Sequence, residues 1–147
     1  MQDRAFIAGL LHDMGKLLLA NYLPEKFQQA IEVSDANQWS LLKAERSLYK
    51  TDHAEIGAML AQWWSLPPFL VETIRSHHHF RVTPIEPEVS AAAYAGNILA
   101  CQFNFCSRQE TYEIDLDESC SERFHLNDEV IELLKHKTLE VLNGLPI

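Results

Sequence analysis

Apolar residues recur with the period of an α-helix along this chain, and that period limits the fold more than any other feature. Ile56, Met59, Leu60 and Trp63, for example, fall on one face of a helix. No stretch alternates β-branched and polar residues between tight hairpin turns, as strands would. The sequence therefore predicts an all-α, multi-helix bundle.

Prolines, caps and the apolar period predict where the first helices lie. Residues 5–22 are apolar on nearly every side, which predicts a central buried helix. A second helix is expected from Pro24 to about Val33, followed by a turn at residues 34–37 and a third helix over residues 39–48.

The next helices carry histidines at positions that can be predicted. Thr51 or Asp52 is expected to cap a helix in which His53 occupies the first turn, and Glu55 follows Asp52 by three positions as in a capping box. A helix beginning at Pro67–Pro68 and running to about His79 places His77 and His78 in line with its apolar face. A loop at residues 83–87 and an alanine-rich helix over residues 89–105 should follow.

Size and composition indicate one domain. The chain has 147 residues, 47% hydrophobic and 22% charged, which is typical of a single globular domain. Within residues 1–147 we distinguish a core over 1–105, an acidic surface loop over 106–126, and a C-terminal amphipathic helix over 127–147, capped at Asn127 or Asp128.

Charge and cysteine content exclude several classes of partner. The net charge of -9 gives no basic surface for nucleic acid or for an anionic membrane. The chain has three cysteines, an odd number, and no two of them form a CxxC pair: Cys101, Cys106 and Cys120. This pattern favours reduced thiols that serve as packing residues. The apolar run after Met1 lacks a cleavage site and is interrupted by charges, so we expect a cytoplasmic protein.

Three predicted helices each carry side chains of types that commonly bind metals: His12 and Asp13, His53, and the pair His77 and His78. Imidazoles and a carboxylate gathered from several helices can hold Fe, Mn or Zn in a bundle core. A buried carboxylate at Asp13 also needs a compensating cation, which a metal or the nearby Lys16 would supply.

Ordinary packing offers an alternative for each of these residues. A lone buried histidine more often bonds a backbone carbonyl than a metal, and this is the more common role for a residue placed like His53. An Asp13–Lys16 pair three positions apart is more often a helix brace than a catalytic element. The remaining histidines are expected on the surface: His79, His125 and His136.

Two groups of motifs resemble the HDOD family, the output-domain branch of the HD superfamily. The first is the segment AFIAGLLHDMGK at residues 5–16. The second is Glu45 followed by DHAEIGA at residues 52–58, a Leu-Pro pair at 66–67, and the final histidine pair after Ile74. The resemblance covers roughly residues 3–105 and corresponds to the family's C-terminal half, which implies an HD-domain-like helical bundle.

The resemblance also implies functions and roles. In the HD superfamily such residues hold one or two ions that activate water in metal-dependent phosphohydrolases. Carried over by position, the metal ligands would be His12, Asp13, His53, His77 and His78. If the protein were an enzyme, Asp13 and Lys16 would be catalytic, with Lys16 on the phosphate side.

Departures from the superfamily pattern favour regulation over catalysis. The superfamily's closing Asp is matched by Asn97, a poorer ligand, and the helix that supplies an earlier His is missing. The Gly-Tyr-Pro motif of cyclic-di-GMP phosphodiesterases is also absent. We therefore predict a regulatory or scaffolding module of bacterial signal transduction. A phosphohydrolase acting on a nucleotide or cyclic dinucleotide is the first alternative, and a helical domain without a site is the second.

The same missing helices predict a partner. In family members they should cover part of the apolar helix at residues 5–22, which includes Phe6, Ile7, Leu10 and Leu17. Without that cover an apolar patch would be exposed. We expect a protein partner or self-association, most simply as a homodimer.

Overall fold

The computed structural model describes residues 2–80, 85–112 and 115–144, and these residues form helices joined by short connections. In chain order the helices are α1 (Gln2–Leu11), α2 (Met14–Tyr22), α3 (Pro24–Asn37), α4 (Leu41–Tyr49), α5 (His53–Trp63), α6 (Pro68–Ser76), α7 (Pro87–Gln102), a 3-10 helix (Arg108–Tyr112), α8 (Glu118–Phe124) and α9 (Asp128–Asn143). No strand occurs in the described ranges, so the all-α prediction is confirmed.

The chain separates into two compact units. Residues 1–115 contain α1 to α7 and the 3-10 helix, and residues 116–147 contain α8 and α9. In the first unit α5 packs on α2 and α6, while α7 packs on α1 and α6. None of the helices the structure describes is long and apolar enough to cross a bilayer.

The predicted first helix is in fact two helices, broken at His12 and Asp13. The Asp13 carbonyl accepts a hydrogen bond from the Lys16 amide at 2.9 Å, which starts the turn into α2. The His12 Nδ1 donates to the Gly9 carbonyl at 2.6 Å and so satisfies an acceptor at the end of α1. The apolar period runs through the break, and for that reason it could not reveal it.

The prediction of a central buried helix over residues 5–22 holds for one face only, and the apolar patch that was also expected is exposed on the other. Ala8 and Leu19 are buried, but the side chains of Phe6, Leu10 and Leu17 are exposed. Phe6 is 73% exposed and Leu10 is 71% exposed. One face of α1 and α2 packs against the later helices, and the other presents large apolar side chains.

Two glycines bring the backbones of α2 and α5 into direct contact. A Cβ added at Gly15 would lie 2.7 Å from the backbone carbonyl carbon of His53 and closer still to its oxygen. A Cβ at Gly57 would lie 3.1 Å from the Gly15 amide nitrogen. This contact fixes the start of α2, and with it Asp13, against the first turn of α5.

The first turn of α5 is held as the cap prediction requires. The Asp52 carboxylate accepts from the Glu55 amide at 2.9 Å and is fully buried. Its other oxygen accepts from the Arg46 Nε at 2.6 Å, which ties α4 to the start of α5. His53 is therefore placed at the first position of α5, with its side chain in the core.

The structure differs from the sequence prediction in several connections. Residues 34–37 continue α3 instead of forming a turn, and α6 ends at Ser76, before the histidine pair. The segment predicted as an acidic loop contains the 3-10 helix and α8. Residues 83 and 84 of the predicted loop lie outside the described residues, and α9 begins after its Asn127 cap.

Candidate metal centre

Asp13, His53, His77 and His78 meet in one cluster. One nitrogen or oxygen atom from each lies within 4.8 Å of the others. These side chains come from the turn before α2, from the first turn of α5 and from the residues that follow α6. Three segments far apart in sequence thus converge, as the sequence analysis expected.

Glu45 orients His53 from the side opposite the cluster. Its Oε2 accepts from the His53 Nδ1 at 2.7 Å and from the His53 backbone amide at 2.9 Å, and both residues are buried. Because Nδ1 carries the proton in this bond, the Nε2 lone pair points into the cluster. A carboxylate behind a histidine fixes ring and tautomer in the way that metal sites require.

His77 faces Asp13 with a lone pair opposite a lone pair. The His77 Nδ1 donates to the Ile74 carbonyl at 2.7 Å, which leaves its Nε2 without a proton. That Nε2 lies 3.3 Å from the Asp13 Oδ1, and neither atom has a hydrogen-bond partner although both are buried. A cation or a proton between these two acceptors would satisfy both, and without either both are left unsatisfied.

The other distances lie on both sides of those expected around one cation. The His53 Nε2 lies 3.6 Å from the Asp13 Oδ1 and at hydrogen-bond distance, 2.7 Å, from the His78 Nε2. Ligand atoms bound at about 2.0–2.2 Å around one ion are separated by roughly 3.0–3.5 Å. Because the four atoms of the cluster lie within 4.8 Å of one another, the side chains would have to shift slightly to hold a single ion.

Burial and charge set the protonation of the cluster in the direction that metal binding needs. Burial lowers the pKa of His77, and burial together with neighbouring His77 and His53 lowers the pKa of His78 further. Burial alone would raise the pKa of Asp13, but its contact with His12 and the charge of Lys16 hold that pKa well below its usual range. The site therefore combines an anionic carboxylate with the neutral imidazoles of His77 and His78.

His12 and Lys16 lie beside the cluster. The His12 Nε2 is 3.3 Å from the Asp13 Oδ2, so His12 contacts the carboxylate on the oxygen that faces away from His77. The Lys16 Nζ donates to that same Oδ2 at 2.9 Å. The four-residue cluster does not include His12, and its predicted role as a ligand stays a prediction.

A cavity of about 600 Å³ opens between α1 and α7 beside Asp13 and Lys16. Asn97, the counterpart of the superfamily's closing Asp, lines this cavity. Two buried carboxylates were given no role by the sequence analysis, Glu45 and Glu110. Glu45 stands in the motif that precedes His53, which could have signalled it, whereas nothing in the acidic segment around Glu110 distinguishes that residue.

Comparisons with known proteins identify the family and the fold. The model of the HDOD domain matches residues 1–80. An uncharacterized protein of Treponema pallidum (strain Nichols) is 34% identical over 93 residues, which is 62% of this chain and 18% of that protein. An HDOD domain protein with unknown function from Geobacter sulfurreducens, solved as a crystal structure, has a TM-score of 0.67 at 28% identity, covering 70% of this chain and 35% of that one.

The chain therefore spans about a fifth of the curated relative and about a third of the solved one. The family match extends over more than half of the chain, and the shared fold is the HD-like helical bundle expected from the motifs. This protein belongs to the HDOD family.

Proposed function

We propose that this chain is part of a regulatory HDOD module of bacterial signal transduction, whose cluster binds one divalent cation without turning over a phosphoester. The observation that carries the cation is the buried pair of facing acceptors, the Asp13 Oδ1 and the His77 Nε2. A bound cation would satisfy both atoms at once, whereas water would have to donate to each within a space of 3.3 Å.

The donor set supports Fe, Mn or Zn. Three imidazole nitrogens and one carboxylate oxygen are borderline ligands, and the orienting carboxylate of Glu45 is the support such sites use. Mg and Ca prefer sites made of oxygen, so they should bind more weakly here.

Regulation is favoured over hydrolysis because the superfamily's closing Asp corresponds to Asn97, whose amide is a weaker ligand than a carboxylate. The second candidate, a metal-dependent phosphohydrolase, is supported by the cavity beside Asp13 and Lys16. In that case a bound cation would polarise a phosphoester and lower the pKa of water, while Asp13 and Lys16 would act at the reacting group.

Output through a protein partner is supported by the exposed apolar side chains of α1 and α2, with Phe6, Leu10 and Leu17 each more than two-thirds exposed. A second copy of the chain is the simplest partner. Sedimentation velocity at micromolar concentration tests this, and a strictly monomeric protein at high concentration would argue against self-association.

Metal analysis of the purified protein and titration with Mn²⁺ and Zn²⁺ test the cation site. We expect one ion per chain, with binding lost in His77→Ala and Asp13→Asn. His136→Ala removes an exposed histidine of α9 and serves as the matched control. Failure to bind any of these ions would refute the site, and metal-dependent turnover of cyclic dinucleotides or aryl phosphodiesters that is lost in Asp13→Asn would select the hydrolase.

A further inference from the structure

Glu110 pairs with Lys16 across a separation of 94 positions in the chain. Its Oε1 lies 2.7 Å from the Lys16 Nζ, and its side chain is only 6% exposed. Glu110 is carried by the 3-10 helix Arg108–Tyr112, which packs on α3 and α7. A glutamate from a short surface segment is thus inserted into the interior beside the candidate metal centre.

This insertion gives Lys16 two carboxylate partners. Its Nζ contacts the Asp13 Oδ2 at 2.9 Å on one side and Glu110 on the other. One positive charge between two negative charges leaves the group with a net charge of -1. Lys16 therefore cannot attract an anion while both carboxylates stay in place.

Asp13 and Glu110 are not equivalent partners. Asp13 is held by the direct contact between the backbones of α2 and α5, and its other oxygen faces His77. Glu110 belongs to a 3-10 helix of only five residues. The hydrogen bond from the Gln109 side chain to the Asp35 carboxylate, at 3.1 Å, links this short helix to α3. Of the two, Glu110 is the carboxylate that can leave Lys16 with less disruption of the packed helices.

The cavity reaches both ends of this ion pair. Lys16 and Glu110 line it together with Ala92, Gly96 and Ala100 of α7, whose small side chains leave the space open. A molecule in the cavity would meet Lys16 where the Glu110 carboxylate now stands.

We infer that this cavity is a binding site for a small anionic molecule and that Glu110 is its competitor within the chain. The ligand's anionic group binds Lys16 by displacing the Glu110 carboxylate, and the 3-10 helix moves with it. The inference rests on the proposed function only in that a bound cation would increase the attraction. The exchange at Lys16 is independent of the metal.

Calorimetric titration with inorganic phosphate at low ionic strength tests the inference, first on metal-free protein and then with one equivalent of Mn²⁺. We expect Glu110→Gln to bind phosphate at least about tenfold more tightly than the parent, because an isosteric change removes the competing charge. Lys16→Met in the Glu110→Gln background should abolish binding. Glu25→Gln removes the same charge from an exposed position in the first turn of α3 and should leave affinity unchanged.

Equal phosphate affinity in Glu110→Gln and the parent would overturn the inference, as would binding that survives Lys16→Met. If Glu110→Gln does not fold, hydrogen exchange on the parent protein tests the inference instead. Phosphate should then accelerate exchange of the amides in residues 108–112, and unchanged exchange at saturating phosphate would overturn the inference. The absence of Mn²⁺ binding would refute the metal proposal alone, because the metal-free comparison still tests Glu110.

Discussion

The contact between α2 and α5 makes Gly15→Ala the sharpest test of the fold. The added Cβ would lie 2.7 Å from the backbone carbonyl carbon of His53, whereas ordinary contact begins at 3.4 Å, so the helices must separate by at least about 0.7 Å. The atoms that the new Cβ would meet, the carbonyl carbon and oxygen of His53, belong to the backbone, so no rotamer change can relieve the overlap. We expect the free energy of unfolding to fall by about 3 kcal/mol or more, at or above the upper end for overpacking.

Urea unfolding followed by circular dichroism measures this loss, and Gly9→Ala provides the matched control. A Cβ at Gly9 meets nothing within 4 Å, and alanine is the better helix former by about 1 kcal/mol, so stability should stay constant or rise. The same separation of helices moves Asp13 away from His53, so Gly15→Ala should also weaken Mn²⁺ binding. If Gly15→Ala lies within about 0.5 kcal/mol of the parent, the described contact is wrong.

Three further predictions follow from single side chains. Glu45→Gln removes the charge that orients His53 and should lower affinity for Zn²⁺ or Mn²⁺ by about 10- to 100-fold, measured by calorimetry. Asp52→Ala removes the cap of α5 and should lower the free energy of unfolding by about 1–2 kcal/mol, measured by urea titration. Burial raises the pKa of Cys101, so less thiolate forms at a given pH, and a disulfide reagent at pH 8 should modify the half-buried Cys106 first and Cys101 only on unfolding.

Each of these three predictions has a control or an outcome that would contradict it. Glu55→Gln changes a carboxylate of α5, the helix that carries His53, and because the Glu55 side chain bonds Thr51 and not the cluster, metal affinity should stay unchanged. Equal metal affinity in Glu45→Gln and the parent would remove the orienting role. An Asp52→Ala variant as stable as the parent would refute the cap, and modification of Cys101 as fast as Cys106 in the folded protein would contradict its burial.

The sequence predicted those parts of the fold that local chemistry decides. Asp52 followed by Glu55 three positions later marked the start of α5, because a carboxylate cap needs a free amide at that spacing. The inward direction of His77 followed from its alignment with Leu70 and Ile74 on one helical face. These inferences required only the helical period and the first turn.

The features that the sequence could not predict depend on contacts between distant segments. The break at His12 and Asp13 lies in a continuous apolar run, and the close contact of Gly15 with the backbone of α5 that follows it involves residues about 40 positions away. The place of Glu110 next to Lys16 depends on the path of the chain after α7, which no local pattern encodes. Which face of α1 and α2 is buried could not be predicted either, because an apolar composition does not say which face packs on another helix.

The candidate cluster also has a thermodynamic consequence. Asp13 and His53 are 40 positions apart, and His53 and His77 are 24 positions apart. An unfolded chain would have to close both loops to assemble the same ligands, at an entropic cost that grows with the logarithm of loop length. A cation that binds the cluster therefore binds the folded chain almost exclusively. Each tenfold rise in its free concentration above the dissociation constant would stabilise the fold by about 1.4 kcal/mol, so occupancy of the site could be read from a melting curve.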